Sequence, residues 1–371
     1  MTIMDKDTVA CRDAALGVVL AVMRGNVKTV PEELLLREHL AALVQTGLLA
    51  APLPACDGGL GWGTEPDSAN VFCAALRRIG RTSLALGRVF EGHVNAIRLL
   101  HRHASAELFR AVVVDIHAGH LIGLWVTAFS DPVRIAPADD GRVWLRGTLD
   151  VCSGAGLATR AVIMATNGLG VEHLAYVSAD DMCVIAERRV AMTGMRAAMT
   201  GAMSVAAEVA AMAVFAGPGD YMAEPDFSGG AWRTSAVTVG GLEALVCETM
   251  SQLRAKRRDQ DPHQQARLGQ MLLARETAIL WIAQAALRAE TLDAEPEYTR
   301  AFVNLARLAI EECCLRVIPL AQRSLGIACQ QLGNPAEQLM RDLSTYLRQP
   351  AGDEVLAVAT QFYLEAARGS R

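Results

Sequence analysis

Apolar residues recur at three- and four-residue spacing through Ala14–Met23, Leu34–Leu49, Val71–Ile79 and Val94–Leu100. That period places one apolar stripe on a helix, so the chain is expected to begin with a helical region reaching about residue 115. A loop dense in Pro and Gly, Pro52 to Gly63, interrupts it. The texture changes near Gly119, where apolar residues come in short runs between turn signals. Asp139-Asp-Gly-Arg142 reads as a hairpin turn feeding a strand through Val143-Trp-Leu. Ala161–Ala165, Leu174–Val177, Met182–Ala186 and Met203–Val209 also read as strands, which suggests a compact antiparallel β module. After Pro225 the helical period returns in Leu242–Leu253, Ala266–Ala289, Tyr298–Ala321 and Val355–Ala367. A charged break from Arg254 to His263 separates the first two of these. The expected architecture is an α+β chain in three lobes. They are an N-terminal all-α domain over 1–117, a middle β-barrel or sandwich over 118–227 and a C-terminal four-helix bundle over 228–371.

Composition narrows the function. Hydrophobic residues make up 52% of the 371 positions and charged residues 20%, a balance that builds large cores. With 35 Lys+Arg against 40 Asp+Glu, the formal charge of -5 lacks the electrostatic footprint of a nucleic-acid binder. Aromatic residues at 5% also argue against base-stacking platforms. The mean hydropathy is +0.23, which raises the question of a membrane. The best apolar runs, Ala14–Met23 and Val205–Ala216, are too short to span, since a spanning helix needs about 20 residues. The acidic start, MTIMDKDTVACRD, does not read as a signal peptide. The expectation is a cytoplasmic, helical, oligomeric enzyme that buries its excess apolar surface in cores and subunit contacts.

Nine cysteines occur with no Cys-x-x-Cys spacing, so they read as small hydrophobic residues in a reducing compartment. Five of the eight histidines, His93, His101, His103, His117 and His120, lie between positions 93 and 120. No paired carboxylate follows at metalloenzyme spacing, so they read as packing or surface groups and no metal is expected.

Four segments carry a likeness to a known family. Gly47-Leu48, Pro54 and Gly58-Gly59-Leu60-Gly61 give a helix end, a turn and a glycine loop. Gly123-Leu-Trp-Val-Thr127 is followed by Asp140-Gly141, Leu145-Arg-Gly-Thr148 and Cys152-Ser-Gly-Ala155. Met192-Thr-Gly-Met-Arg196 precedes Thr200. Last come Leu325-Gly326, Pro335, Glu337, Met340-Arg341-Asp342 and Tyr346. In this order they resemble the acyl-CoA dehydrogenase family over nearly the whole chain.

The resemblance implies an FAD-dependent oxidoreductase acting on the CH–CH group of an acyl thioester or related small molecule. The substrate would be acyl-CoA or a carrier-bound acyl group, and the protein a homodimer or homotetramer. It places Trp125, Thr127 and Ser153 at the flavin ring, whose N5 and N1/C2 edges need hydrogen-bond donors. It also places Gln322 and Gly326 at the pyrophosphate and adenosine of a neighbouring subunit's FAD. Arg258, among Arg254, Arg257 and Arg258, falls at the phosphate-pairing position. Two departures stand out. Thr127 is followed by Ala128-Phe-Ser-Asp131 rather than Glu-Pro, and only Gly326 of the later glycine turn is kept.

The family's proton-abstracting Glu falls at Pro350, which has no accepting side chain, and the alternative position used by some members falls at Thr234. Asp353 and Glu354 are the nearest replacements, although acids there also suit the start of the final helix. The alternatives are a flavin-dependent monooxygenase of the same fold, which needs no such base, and a catalytically altered flavoprotein. A monooxygenase often carries a C-terminal histidine near the flavin, and His263 is the only histidine after His173.

Overall fold

The computed structural model describes residues 32–188, 191–290 and 295–369, so the expected helix over Ala14–Met23 lies outside the described residues. The helices are α1 (Glu32–Gln45), α2 (Ala69–Thr82), α3 (Leu84–His103) and α4 (Ala106–His117), followed after the strands by α5 (Ala231–Ala255). Then come α6 (Pro262–Glu290), α7 (Pro296–Leu325), α8 (Pro335–Tyr346) and α9 (Gly352–Gly369). The strands are β1 (Ile122–Trp125), β2 (Arg134–Pro137), β3 (Arg142–Cys152), β4 (Arg160–Thr166) and β5 (Glu172–Ser178). They continue with β6 (Met182–Ile185), β7 (Gly201–Ala210) and β8 (Val214–Phe215). The described chain forms two compact units.

The first unit holds residues up to 64, 92–189 and 197–215. Its sheet runs β6-β7-β3-β2-β4-β5-β8, with β1 added parallel to β4. The sheet is therefore mixed rather than wholly antiparallel: β2 also meets β4 in parallel, while β2–β3, β3–β7, β4–β5, β5–β8 and β6–β7 are antiparallel. The β2–β3 turn has Asp140 and Gly141 both at positive φ, closed by Arg142 N–H donating to the Asp139 carbonyl at 3.1 Å. That is the turn whose twist matches the flanking strands. Leu145 and Leu149 on β3, four residues apart on one face of the strand, are fully enclosed. Asp115 on α4 takes a two-pronged bond from Arg160 on β4 and one from the Tyr176 hydroxyl on β5. Burial opposes the Asp115 charge, but these bonds hold its carboxyl below the usual range. His93 is buried in this unit, with Nε2 2.9 Å from the Leu49 carbonyl and Nδ1 accepting from the Ile122 amide at 3.0 Å.

The second unit holds residues 65–91, 190–196 and 216–371. Here α2 crosses α5 at two glycines. A Cβ on Gly80 would lie 2.2 Å from the Val237 carbonyl oxygen, and one on Gly240 2.1 Å from that of Arg77. The Arg77–Glu243 pair (2.7 Å) and the edge-on contact of Phe72 with Trp232 (5.3 Å) flank the crossing. Helices α5, α6, α7 and α9 form the expected four long elements, and α8 is a further shorter one. Deep in the bundle Glu290 accepts from Arg233 (2.9 Å) and from the Trp232 indole N–H (3.0 Å). The break between α5 and α6 is closed by Asp261, which accepts from the His263 and Gln264 amides as a helix cap.

No helix among the described residues is long and apolar enough to cross a membrane. The eight described cysteines are free thiols. Cys73, Cys152, Cys313, Cys314 and Cys329 are buried as expected of small hydrophobes, whereas Cys56 and Cys183 are exposed.

Candidate functional site

Three of the expected flavin contacts meet at strand ends in the first unit. Trp125 closes β1, is 1% exposed, and donates its indole N–H to the Ser153 carbonyl at 2.9 Å. Ser153 follows β3, and its hydroxyl is 3.4 Å from that of Thr200, just before β7. Thr127 lies two residues beyond β1, half-buried, with its carbonyl accepting from the Asp150 amide at 2.8 Å. The pairing of β3 with β7, and of β1 with β4, helps bring these distant segments together. The Asp150 carboxylate also takes the Phe129 amide at 2.6 Å, and Arg188 stands 3.5 Å from it while donating to the Ser130 hydroxyl. Asp150 and Arg188 thus hold the 127–131 segment from beneath. Nothing in their local pattern marks them, because the link joins positions far apart in sequence.

A second group gathers in the second unit. Gly326 follows α7 at φ +68, a conformation that favours glycine, and a Cβ there would meet nothing within 4 Å. Its amide bonds the Gln322 carbonyl. Buried Gln264, with its amide turned to satisfy both ends, donates to Ser324 at 3.0 Å and accepts from Arg258 at 3.0 Å. Arg258, Gln322 and Gly326 are exposed, so an open backbone turn lies beside a guanidinium. Donors of this kind suit an anionic phosphate group.

The two remaining segments of the likeness pack on one another within that unit. Met195 N–H donates to the Asp342 carboxylate at 2.6 Å, and Arg341 donates to the Thr193 carbonyl at 3.2 Å and to Glu337 at 2.9 Å. A Cβ on Gly194 would sit 2.2 Å from the Arg341 carbonyl oxygen, which explains the glycine.

The candidate bases stand differently. Asp353 and Glu354 are exposed in the first turn of α9, where acids favour the helix dipole. Pro350 is exposed, and its carbonyl accepts from Arg307 at 2.6 Å. Thr234, by contrast, donates to a buried carboxylate, Glu91, at 3.4 Å. Glu91 was not marked by sequence: it lies on α3, on the far side of the chain from α5 in order. His263 is exposed at the start of α6. His117 faces the Asp57 carbonyl and His120 the Thr159 hydroxyl, while His101 stacks on Phe109. No group of three or more His, Cys, Asp or Glu suited to a metal occurs among the described residues.

No family model matches the sequence, and no curated protein matches it. Solved structures do. The FMN- and indole-bound TdsC of Paenibacillus sp. A11-2 superposes with a TM-score of 0.82 at 17% identity, over 95% of this chain and 96% of that one. TdsC is a dibenzothiophene monooxygenase. Butyryl-CoA dehydrogenase from Megasphaera elsdenii gives 0.79 at 15% identity, over 98% of this chain and 100% of that one. KijD3, in complex with FMN and a dTDP-linked amino-keto sugar, gives 0.76 at 20% identity, over 96% and 92%. At such identities the likeness concerns architecture, and it agrees with the helical, β and helical succession described above. The chain has the acyl-CoA dehydrogenase-like fold.

Proposed function

We propose that this protein is a flavin-dependent oxidoreductase acting on a small molecule, with FAD at the strand-end group of Trp125, Thr127, Ser153 and Thr200. The observation that carries the reading is the Trp125–Ser153 bond with the half-buried Thr127 and Ser153 hydroxyls and the buried Thr200 hydroxyl around it. Small hydroxyls and backbone N–H groups fixed at strand ends are donors suited to the edges of a flavin ring. When bound, the flavin supplies two-electron redox chemistry. The protein's own groups orient the ring, shield it and donate to its polar edge. Arg258, Gln322 and Gly326 would receive the pyrophosphate end of a neighbouring subunit's FAD. TdsC and KijD3 carry FMN, which needs no adenosine site, so the two nucleotides are to be compared directly. Purified protein should show a flavin absorbance band or recover one on titration with FAD, and Ser153→Ala should weaken that binding. A colourless protein that takes up neither FAD nor FMN would overturn the proposal.

On the dehydrogenase reading, the CH–CH bond of an acyl thioester is oxidised, with Asp353 or Glu354 as the displaced base. Their exposed place in the first turn of α9 weighs against them, and the absence of a carboxylate at Pro350 favours the second reading, a monooxygenase of the same fold. Oxygen uptake in the presence of a reduced-flavin supply separates the two. Exposed Leu273, Leu280 and Leu287 recur every seven residues along α6 and suit burial against another copy as a homodimer or homotetramer. Light scattering on the eluting protein tests this: a monomer would remove it.

A further inference from the structure

Within the second unit, four polar side chains converge that the flavin reading leaves unused. Arg88 and Glu91 lie three residues apart on α3, hence on one face, and form an ion pair. The Glu91 carboxylate is enclosed, yet the Arg88 side chain keeps 33% of its surface open. Thr234 on α5 donates to Glu91 at 3.4 Å. Tyr346 on α8 is 4% exposed, and its hydroxyl makes no well-formed hydrogen bond among the described residues, its one side-chain coupling of that kind being to Thr234.

The electrostatic couplings tie the groups together. Burial pushes the Tyr346 phenol up, Glu91 pushes it further, and Arg88 and the Thr234 hydroxyl pull it back. Tyr221 is raised by burial, with Arg88 lowering it and Glu91 raising it, so this phenol belongs to the same cluster. For Arg88, burial works against the charge and Glu91 more than offsets it. The Arg88 guanidinium thus stands partly open beside an enclosed carboxylate.

Packing alone does not account for this arrangement. Replacing a buried ion pair by apolar residues is often neutral or stabilising. A buried phenol hydroxyl with no well-formed hydrogen bond costs free energy unless something else bonds to it. Three helices spend this cost at one spot. The available chemistry is donor-rich: a phenol O–H and a guanidinium fork, with Thr234 already directed to Glu91. Such a set recognises an acceptor oxygen.

We infer that Arg88, Glu91, Thr234 and Tyr346 form a binding centre for the substrate's polar group, a carbonyl or carboxylate oxygen taken up by Tyr346 and Arg88. Glu91 neutralises and orients the Arg88 guanidinium. That the ligand is a substrate rests on the flavoenzyme reading; the binding itself does not.

Calorimetric titration of the purified protein with sodium benzoate, benzamide and toluene tests the centre. Benzoate or benzamide should bind, and the one that binds more tightly reports whether charge is wanted. Tyr346→Phe should keep or raise the melting temperature, since it removes a buried hydroxyl that has no well-formed bond, and should weaken that binding about tenfold while leaving any toluene binding unchanged. Arg88→Lys, which keeps the charge but loses the fork, should also weaken it, and it carries the test if the phenylalanine variant does not fold. The inference is overturned if neither oxygen ligand binds, if toluene binds as tightly as benzamide, or if the folded variants bind as wild type does. Flavin titration of the same samples keeps the outcomes apart. Loss of flavin binding with intact benzamide binding sinks the flavoenzyme reading and spares the centre, and the reverse pattern does the opposite.

Discussion

Met195 donates its backbone N–H to the Asp342 carboxylate at 2.6 Å across 147 residues of sequence. Met195 sits at φ +57, an uncommon conformation for a residue with a side chain, and both residues are buried. The bond thus fixes a strained segment, 192–196, against α8. Asp342→Ala leaves the Met195 amide without its acceptor and should cost about 2 kcal/mol. Urea unfolding measures it, and an unchanged midpoint would show that the bond contributes nothing net.

His93 sets a pH dependence. Nε2 faces a carbonyl and Nδ1 accepts an amide, so the ring is held neutral with its proton on Nε2. Burial pushes its pKa from 6.5 down to about 4, against the opposing effect of the two backbone bonds. The folded state therefore resists a proton that the unfolded chain takes up below 6.5. The contribution is fully present above that pH and is lost as pH falls towards 4, on the order of 3 kcal/mol in all. His93→Gln should flatten the stability profile in this window. If wild type and variant keep the same slope between pH 6.5 and 4, His93 is not the group responsible.

The order of elements was legible because periodicity is local. The 3.6-residue stripe marks Ala69–Thr82 and the bundle helices, and the Asp140-Gly141 turn marks the β2–β3 hairpin. What the pattern missed depends on long-range pairing. The parallel contact of β1 with β4 joins strands separated by the whole β2–β3 hairpin, and no alternation of apolar residues encodes strand direction. In the site, Trp125, Thr127 and Ser153 stood out because short motifs surround them. Asp150, Arg188 and Glu91 did not, since a lone acid or base on a strand or helix looks like any solvated charge. Glu91 shows why: only the fold reveals that its neighbours on α3, α5 and α8 shut water out.

The Arg233–Glu290 pair supports the bundle core. Both side chains are 5% exposed, and Glu290 also accepts from Trp232. Glu290→Ala removes the acceptor used by a buried cation and a buried indole, so it should destabilise by about 3 kcal/mol or more. The double change Arg233→Met with Glu290→Leu should recover much of that loss, because it removes both charges together. Thermal melts of the three proteins read this, and a double variant no better than Glu290→Ala would show that volume rather than charge is decisive.

Gly123 is the test of the strand-end frame. A Cβ there would lie 2.6 Å from Cε2 of the Trp125 ring. The ring is enclosed and cannot swing outward, so Gly123→Ala must displace it and break the indole bond to Ser153. Overpacking of this kind costs about 1–3 kcal/mol. Gly168→Ala serves as the control, since a Cβ at Gly168 meets nothing within 4 Å. The melting temperature should fall for Gly123→Ala and hold for Gly168→Ala. Flavin affinity should drop about tenfold with the first and stay with the second, as the loss of one good hydrogen bond implies. A Gly123→Ala protein that melts lower yet binds flavin as tightly as wild type would detach Trp125 from the proposed cofactor site and leave it a packing residue.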